Sequence, residues 1–125
     1  MTGDPADALA GDDLLYGNSG TDTIYGETGA DTIYGGAGVD LIFGNAGNDV
    51  VCGDAGGDTI YGGDGHDDLD GHCGVAGDDN AIDDIGGGDG NDTIYGRGGA
   101  DLLGGSADAD TIYGGDHADV ILGNV

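Results

Sequence analysis

Aspartate recurs at every ninth residue of this chain. Asp13, Asp22, Asp31, Asp40, Asp49, Asp58 and Asp67 form one series, and Asp92, Asp101, Asp110 and Asp119 resume it after an interruption. A carboxylate serves either as an acid–base group or as a hard oxygen ligand, and its neighbours decide which. Here the neighbours are glycine and more carboxylate. The chain has three His, two Cys and two Ser (Ser19 and Ser106), with no ordered grouping for nucleophilic or proton-transfer chemistry. No enzyme activity is expected. Carboxylates and backbone carbonyls in flexible loops suit Ca²⁺ far better than Mg²⁺ or a soft metal.

The elements that must position these carboxylates follow from the residues around them. Aligned by nine, the chain reads GNSGTDTIY (17–25), GETGADTIY (26–34), GGAGVDLIF (35–43), GNAGNDVVC (44–52), GDAGGDTIY (53–61) and GGDGHDDLD (62–70). It resumes as GGDGNDTIY (87–95), GRGGADLLG (96–104), GSADADTIY (105–113) and GGDHADVIL (114–122), and a partial copy, LAGDDLLY (9–16), precedes the first. Positions 1, 2 and 4 are rich in Gly, which permits positive φ and tight turns. Positions 7 to 9 read as a three-residue strand whose middle residue is aliphatic and points inward: Leu15, Ile24, Ile33, Ile42, Val51, Ile60, Leu69, Ile94, Leu103, Ile112 and Ile121. Two nonapeptides make one coil. Successive coils stack ~4.8 Å apart in parallel register, and the facing aliphatic residues fill a thin core.

This pattern resembles the calcium-binding nonapeptide repeat of RTX proteins over residues 9–70 and 87–124. The resemblance implies an all-β fold, a right-handed parallel β-roll (β-solenoid) of about seven 18-residue coils forming a single domain over residues 1–125. It also implies Ca²⁺ in the turns. Each ion would sit between two turns on the same edge, taking carbonyls from positions 1 to 4 and carboxylates from two position-6 Asp residues. About ten ions would cancel most of the charge. Counting alternate repeats places Asp13, Asp31, Asp49, Asp67, Asp101 and Asp119 on one edge, and Asp22, Asp40, Asp58, Asp92 and Asp110 on the other. The last two copies depart from the pattern, with Asp108 and His117 at position 4, where weak binding or strain is expected. Asp54, Asp64, Asp89 and Asp116, at positions 2 or 3, read as surface charge.

Residues 71–86 break the period, spanning 16 residues where two repeats would take 18. Asp83 and Ile85 fall at positions 6 and 8 when counted back from Asp92. On the favoured reading, residues 71–77 are a repeat shortened by two, stacking continues, and Asp83 joins the first edge as a further metal ligand. The other reading is an excursion loop between two short rolls. His66, Asp67, His72 and Cys73 match no standard zinc spacing. A Cys52–Cys73 disulfide fits an extracellular chain; otherwise both are small apolar fillers.

The outward positions 7 and 9 read Thr23/Tyr25, Leu41/Phe43, Thr59/Tyr61, Thr93/Tyr95 and Thr111/Tyr113 on one flank. They read Leu14/Tyr16, Thr32/Tyr34, Val50/Cys52, Leu102/Gly104 and Val120/Leu122 on the other. The Thr and Tyr residues reflect strand propensity or form a sticky face for lateral association.

Composition narrows the functional classes. In 125 residues there are 32 Gly, 26 acidic residues and one basic residue (Arg97), for a net charge of −25. Nucleic acid as a partner is excluded, since phosphate binding needs cations. Apolar runs of three or four residues exclude membrane insertion. So few apolar residues cannot offset chain entropy and self-repulsion, so the bare chain should be unfolded until cation binds. The expected product is a calcium-dependent structural roll, folding outside the cell and secreted without a cleaved N-terminal signal peptide. MTGDPADALA has neither a basic region nor an apolar stretch. Its expected partner is itself, laterally or head to tail, because the repeat frame and edge alternation look continuous from the last residues of one copy to the first of the next. The alternatives are an adhesion or ligand-binding module using the Thr/Tyr face, and the roll fragment of a secreted protease or lipase.

Overall fold

A computed structural model describes residues 6–7, 10–73 and 80–123. Thirteen strands account for it. They are Ala6–Asp7 (β1), Leu14–Ser19 (β2), Thr23–Tyr25 (β3), Thr32–Ala37 (β4), Leu41–Ala46 (β5), Val50–Ala55 (β6) and Thr59–Asp64 (β7). After these come Asp68–Asp70 (β8), Asp84–Asp89 (β9), Thr93–Gly98 (β10), Leu102–Ala107 (β11), Thr111–Asp116 (β12) and Val120–Leu122 (β13). No helix occurs among the described residues. Odd-numbered strands form a seven-stranded sheet and even-numbered strands a six-stranded sheet, each ordered along the sequence. The chain therefore crosses from one sheet to the other at every turn. Every pairing is parallel, as between Ile24 and Ile42 or Ile33 and Val51. This is the expected β-roll of two nonapeptides per coil.

Most strands run longer than the three residues the repeat suggested. β4 meets β6 at Thr32↔Val50, Ile33↔Val51 and Tyr34↔Cys52, skips position 1, and pairs again at Gly36↔Asp54 and Ala37↔Ala55. Positions 2 and 4 adopt positive φ, as at Asn18 (77°) and Gly47 (144°). Position 1 does not. Its Gly is needed for room: a Cβ on Gly35 would lie 2.6 Å from the Gly53 carbonyl oxygen and 2.8 Å from Asp40 Oδ2.

The core is one file of aliphatic side chains. Ile24, Ile33, Ile42, Val51, Ile60, Leu69, Ile85, Ile94 and Leu103 are fully buried, with Leu15 and Ile112 packed at its ends. Each contributes roughly 2 kcal/mol by burial. Ile121, on the last described strand, remains half exposed.

Residues 71–83 overturn part of the sequence reading. β7 pairs directly with β9 (Ile60↔Ile85) and β8 with β10 (Leu69↔Ile94). Stacking continues, as expected, but 71–77 is not a shortened repeat. Instead, β8 and β9 follow one another as consecutive strands of opposite sheets, with one crossing between Gly71 and Asp83. The physical reason is that GHCGVAG offers neither a position-6 Asp nor a position-8 aliphatic residue, so a half-coil made from it would leave a hole in both ladder and core. Lengthening a turn by seven residues adds only a small loop-closure term.

Strand parity therefore switches after residue 70. The Thr and aromatic flank is not continuous. Tyr25, Phe43 and Tyr61 stack at 5.1 and 5.3 Å on the seven-stranded sheet, then give way to Gly86, Gly104 and Leu122. On the other sheet Tyr16 stacks on Tyr34 and Tyr95 on Tyr113, separated by Cys52 and Asp70. The edge alternation counted for head-to-tail continuation also fails: β1 and β13 lie in the same sheet, so a copy continuing the frame would place two successive half-coils on one side.

Candidate metal centre

Each regular turn between strands carries Asp at position 6 of its repeat, and stacking the coils stacks these residues. On the first edge the backbone N–H of Asp13 donates to Asp31 Oδ1 at 2.9 Å. Asp31 donates in the same way to Asp49, Asp49 to Asp67, Asp67 to Asp92 and Asp92 to Asp110, at 2.8–3.0 Å. On the second edge the same bond links Asp22 to Asp40, Asp40 to Asp58, Asp58 to Asp83, Asp83 to Asp101 and Asp101 to Asp119.

All twelve predicted residues thus fall into two ladders of six, but their membership differs from the sequence count. Asp83, Asp101 and Asp119 belong with Asp22, whereas Asp92 and Asp110 belong with Asp13. The cause is the single long turn, which supplies one half-coil rather than two. The bond itself was missed from sequence. From Asp31 and Asp40 onward each carboxylate satisfies an amide of the preceding coil, so these Asp residues have a structural role in addition to any ligand role.

Nine of the twelve are at most 3 % exposed; Asp13, Asp110 and Asp119, near the ends, are partly exposed. Burial of so much like charge leaves a mark. Desolvation pushes the Asp67 carboxyl up to about 6, aided by Asp49 and Asp92 and opposed by the Asp49 amide and by His66. Desolvation also raises Asp40, Asp49 and Asp92.

From Asp31 and Asp40 onward one oxygen of each ladder carboxylate is used by the amide. At Asp31, Asp40, Asp49, Asp67, Asp92 and Asp110 the other, Oδ2, is buried with no hydrogen-bond partner. Such an atom costs about 1–3 kcal/mol, and more when charged. Oδ2 faces the position-1 Gly of its own turn and a carbonyl of the next coil. At Gly26, a Cβ would lie 2.6 Å from both Asp31 Oδ2 and the Gly44 carbonyl oxygen. Hard oxygens converge on a space that only Gly leaves open. Among the described residues no three His, Cys, Asp or Glu side chains cluster to hold a metal. A cation here would take paired carboxylates and complete its shell with carbonyls. That donor set fits Ca²⁺ and does not fit a soft metal.

The remaining predicted positions separate by environment. Asp64, Asp89 and Asp116 are exposed, as expected of surface charge. Asp54 is half-buried, and desolvation raises its carboxyl, opposed by His72. Asp108 and His117 sit at positive φ of 75° and 82°, a strained conformation for a residue with a Cβ. Cys52 and Cys73 form a disulfide with Cα atoms 5.7 Å apart, so Cys73 is not a zinc ligand. Sequence reading also missed the ion pair of Arg97 with Asp70. The Arg97 guanidinium donates from Nε and Nη2 to the Asp70 carboxylate and lies 4.7 Å above the Tyr95 ring. The Asp70 hydrogen bond raises the Arg97 pKa further. The available signal was a lone cation in an acidic chain, two residues on from Tyr95.

Comparison with known families agrees with this geometry. A family model described as RTX calcium-binding nonapeptide repeat (4 copies) matches residues 3–33, 16–51, 25–60, 43–72, 74–111 and 102–125. No curated protein matches the chain.

Proposed function

The chain belongs to the RTX calcium-binding nonapeptide repeat family, and from that premise we propose that it is an extracellular structural module whose folding is switched on by Ca²⁺. The observation that carries this reading is the pair of buried carboxylate ladders, with unpartnered Oδ2 atoms at Asp31, Asp40, Asp49, Asp67, Asp92 and Asp110. Without a cation, adjacent buried carboxylates repel and remain desolvated, so the compact state is penalised. With one between each neighbouring pair, repulsion becomes ligation. Five neighbouring pairs on each edge give about ten ions. When bound, Ca²⁺ supplies charge neutralisation. The chain's own residues supply position: Asp Oδ1 tethers one coil to the next, and position-1 Gly keeps the space open.

Such a module stays unfolded at cytosolic calcium and folds at extracellular calcium. The Cys52–Cys73 disulfide supports the same compartment, because disulfides persist where the medium oxidises. The end use is a scaffold, with no catalytic role assigned. Self-association is part of the proposal through the half-exposed Val120, Ile121 and Leu122 of the last described strand.

Circular dichroism with and without EGTA tests the switch. The calcium form is expected to show β-structure that chelation abolishes, and Asp49→Asn or Asp58→Asn is expected to require more calcium for the same signal. Cooperative structure persisting in chelator would defeat the reading. Sedimentation of the calcium form tests assembly, and a monomer at every concentration would remove the self-association clause.

A further inference from the structure

We propose that the Cys52–Cys73 disulfide is a redox clamp on the second edge: closed, it holds Gly71 in the geometry that the flanking cation positions need; opened, it weakens those positions and spares the first edge. The inference rests on the calcium reading above.

Backbone pairing is reduced around β8. β4 and β6 pair at five positions, but β8 pairs with β6 at three and with β10 at three. The missing pairs are those of positions 2 and 3, occupied here by His72 and Cys73, because the chain departs into the long turn. Side chains take over the lost connections at those same residues. Cys73 Sγ is bonded to Cys52 Sγ in the coil before. The His72 ring hydrogen-bonds through Nδ1 to the Asp54 carbonyl of that same coil, and the His72 N–H donates to Asp70 Oδ1 at 3.1 Å. On the far side Arg97 grips Asp70. Of these ties only the disulfide is covalent.

It also lies close to the cation geometry. The Gly71 carbonyl, two residues before Cys73, faces the space beside Gly53, where a Cβ would lie 2.7 Å from it. A Cβ on Gly71 would in turn strike Asp83 Oδ2. Gly71 and Asp83 thus bound the two cation positions that turn 71–83 shares with turns 53–58 and 96–101. The Gly71 N–H donates to the Tyr95 carbonyl of the following coil at 2.9 Å; toward the coil before, the disulfide is the covalent tie beside the Gly71 carbonyl.

Reduction is open to solvent from one side. Cys52 is 1 % exposed, whereas Cys73 is partly exposed. A dithiol attacks Cys73 Sγ through its thiolate, the Sγ–Sγ bond breaks, and Cys52 leaves as thiolate. The second thiol of the reductant then closes to a cyclic disulfide and frees Cys73. Two electrons and two protons pass from the dithiol, leaving two protein thiols.

The test is calcium titration by calorimetry on the whole chain, oxidised and in dithiothreitol, alongside Cys52→Ser/Cys73→Ser under both conditions. Reduction is expected to weaken about two positions by ~10–100-fold, the effect of losing residues that orient metal ligands. The double variant should match the reduced protein and ignore dithiothreitol. Amide exchange should rise at Gly71–Cys73 and Asp83 while turns 44–49 and 105–110 stay protected. Identical isotherms and exchange in both redox states would overturn the clamp alone, as would uniform weakening of every position. Absence of calcium binding in all forms would overturn the calcium reading itself, and the clamp with it.

Discussion

The two edges of the roll carry the same carboxylate ladder on different turns. On the first edge, position 5 is mostly polar and itself forms a ladder. Asn48 Oδ1 accepts the His66 N–H at 2.9 Å, His66 Nδ1 accepts the Asn91 N–H at 2.8 Å, and Asn91 Oδ1 accepts the Ala109 N–H at 2.9 Å. On the second edge the same position holds Thr21, Val39, Gly57, Ile82, Ala100 and Ala118, with Val39 57 % and Ile82 65 % exposed. Only the second edge contains the long turn. Yet the Asp58–Asp83 bond, across 25 residues, is as short as the Asp40–Asp58 bond across 18, both 2.8 Å. The carboxylate ladder is therefore indifferent to what lies between its members. It requires an Asp one coil on and glycines that leave space, while the length of the turn and its position 5 vary.

The largest effect that could break this equivalence comes from position 4. Gly47, on the first edge, has φ 144° and a Cβ there would run into the Gly29 carbonyl; Gly56, on the second, has φ 125° and meets Gly38 in the same way. Gly47→Val and Gly56→Val should each destabilise the calcium form by about 3 kcal/mol or more, read as a fall in Tm. A tolerated Gly56→Val beside a damaging Gly47→Val would show that the edges differ in the turn itself.

Acid should act on both ladders, most at Asp67. Its folded pKa of about 6 lies above the ordinary 3.8, so the folded, metal-free chain binds more protons than the unfolded one between those values. Stability without metal should rise as pH falls through 6 and level off below 3.8. The calcium form should do the opposite, since protons compete for its ligands. Circular dichroism in EGTA from pH 7 to about 4 checks the sign; no gain of structure would mean that repulsion is not what holds the bare chain open.

The smallest effect sharpens the contrast at position 5. Asn48→Ala removes an exposed acceptor and should cost about 0.5–1 kcal/mol, whereas Val39→Ala, whose side chain is mostly in water, should be near neutral. Equal shifts in Tm would mean that the polar ladder adds nothing.

Much of this architecture was legible in the residues. Asp every ninth position and an aliphatic residue two further on specify one ladder rung and one core rung per repeat, and every core residue from Ile24 to Leu103 sits where that rule puts it. What could not be read was parity after residue 70. A seven-residue half-coil and a seven-residue extension of a turn leave Asp83 and Ile85 in the same frame, so the local pattern is silent. The deciding signals were chemical. GHCGVAG has no rung for ladder or core, and Cys73 comes within bonding range of Cys52 only if the chain turns out at Gly71. The Oδ1–amide bonds were hidden for another reason: the repeat shows that Asp recurs, but not that its two oxygens are divided between neighbours.

The long turn has a mechanical side. Peeled from one end under load, an ordinary coil of 18 residues would release at most ~60 Å of slack, and the coil from Asp58 to Asp83, with 25, at most ~85 Å. The Cys52–Cys73 bond withholds the portion it encloses. A pulled roll would thus yield in even steps broken by one irregular step, whose length reports whether that bond is closed.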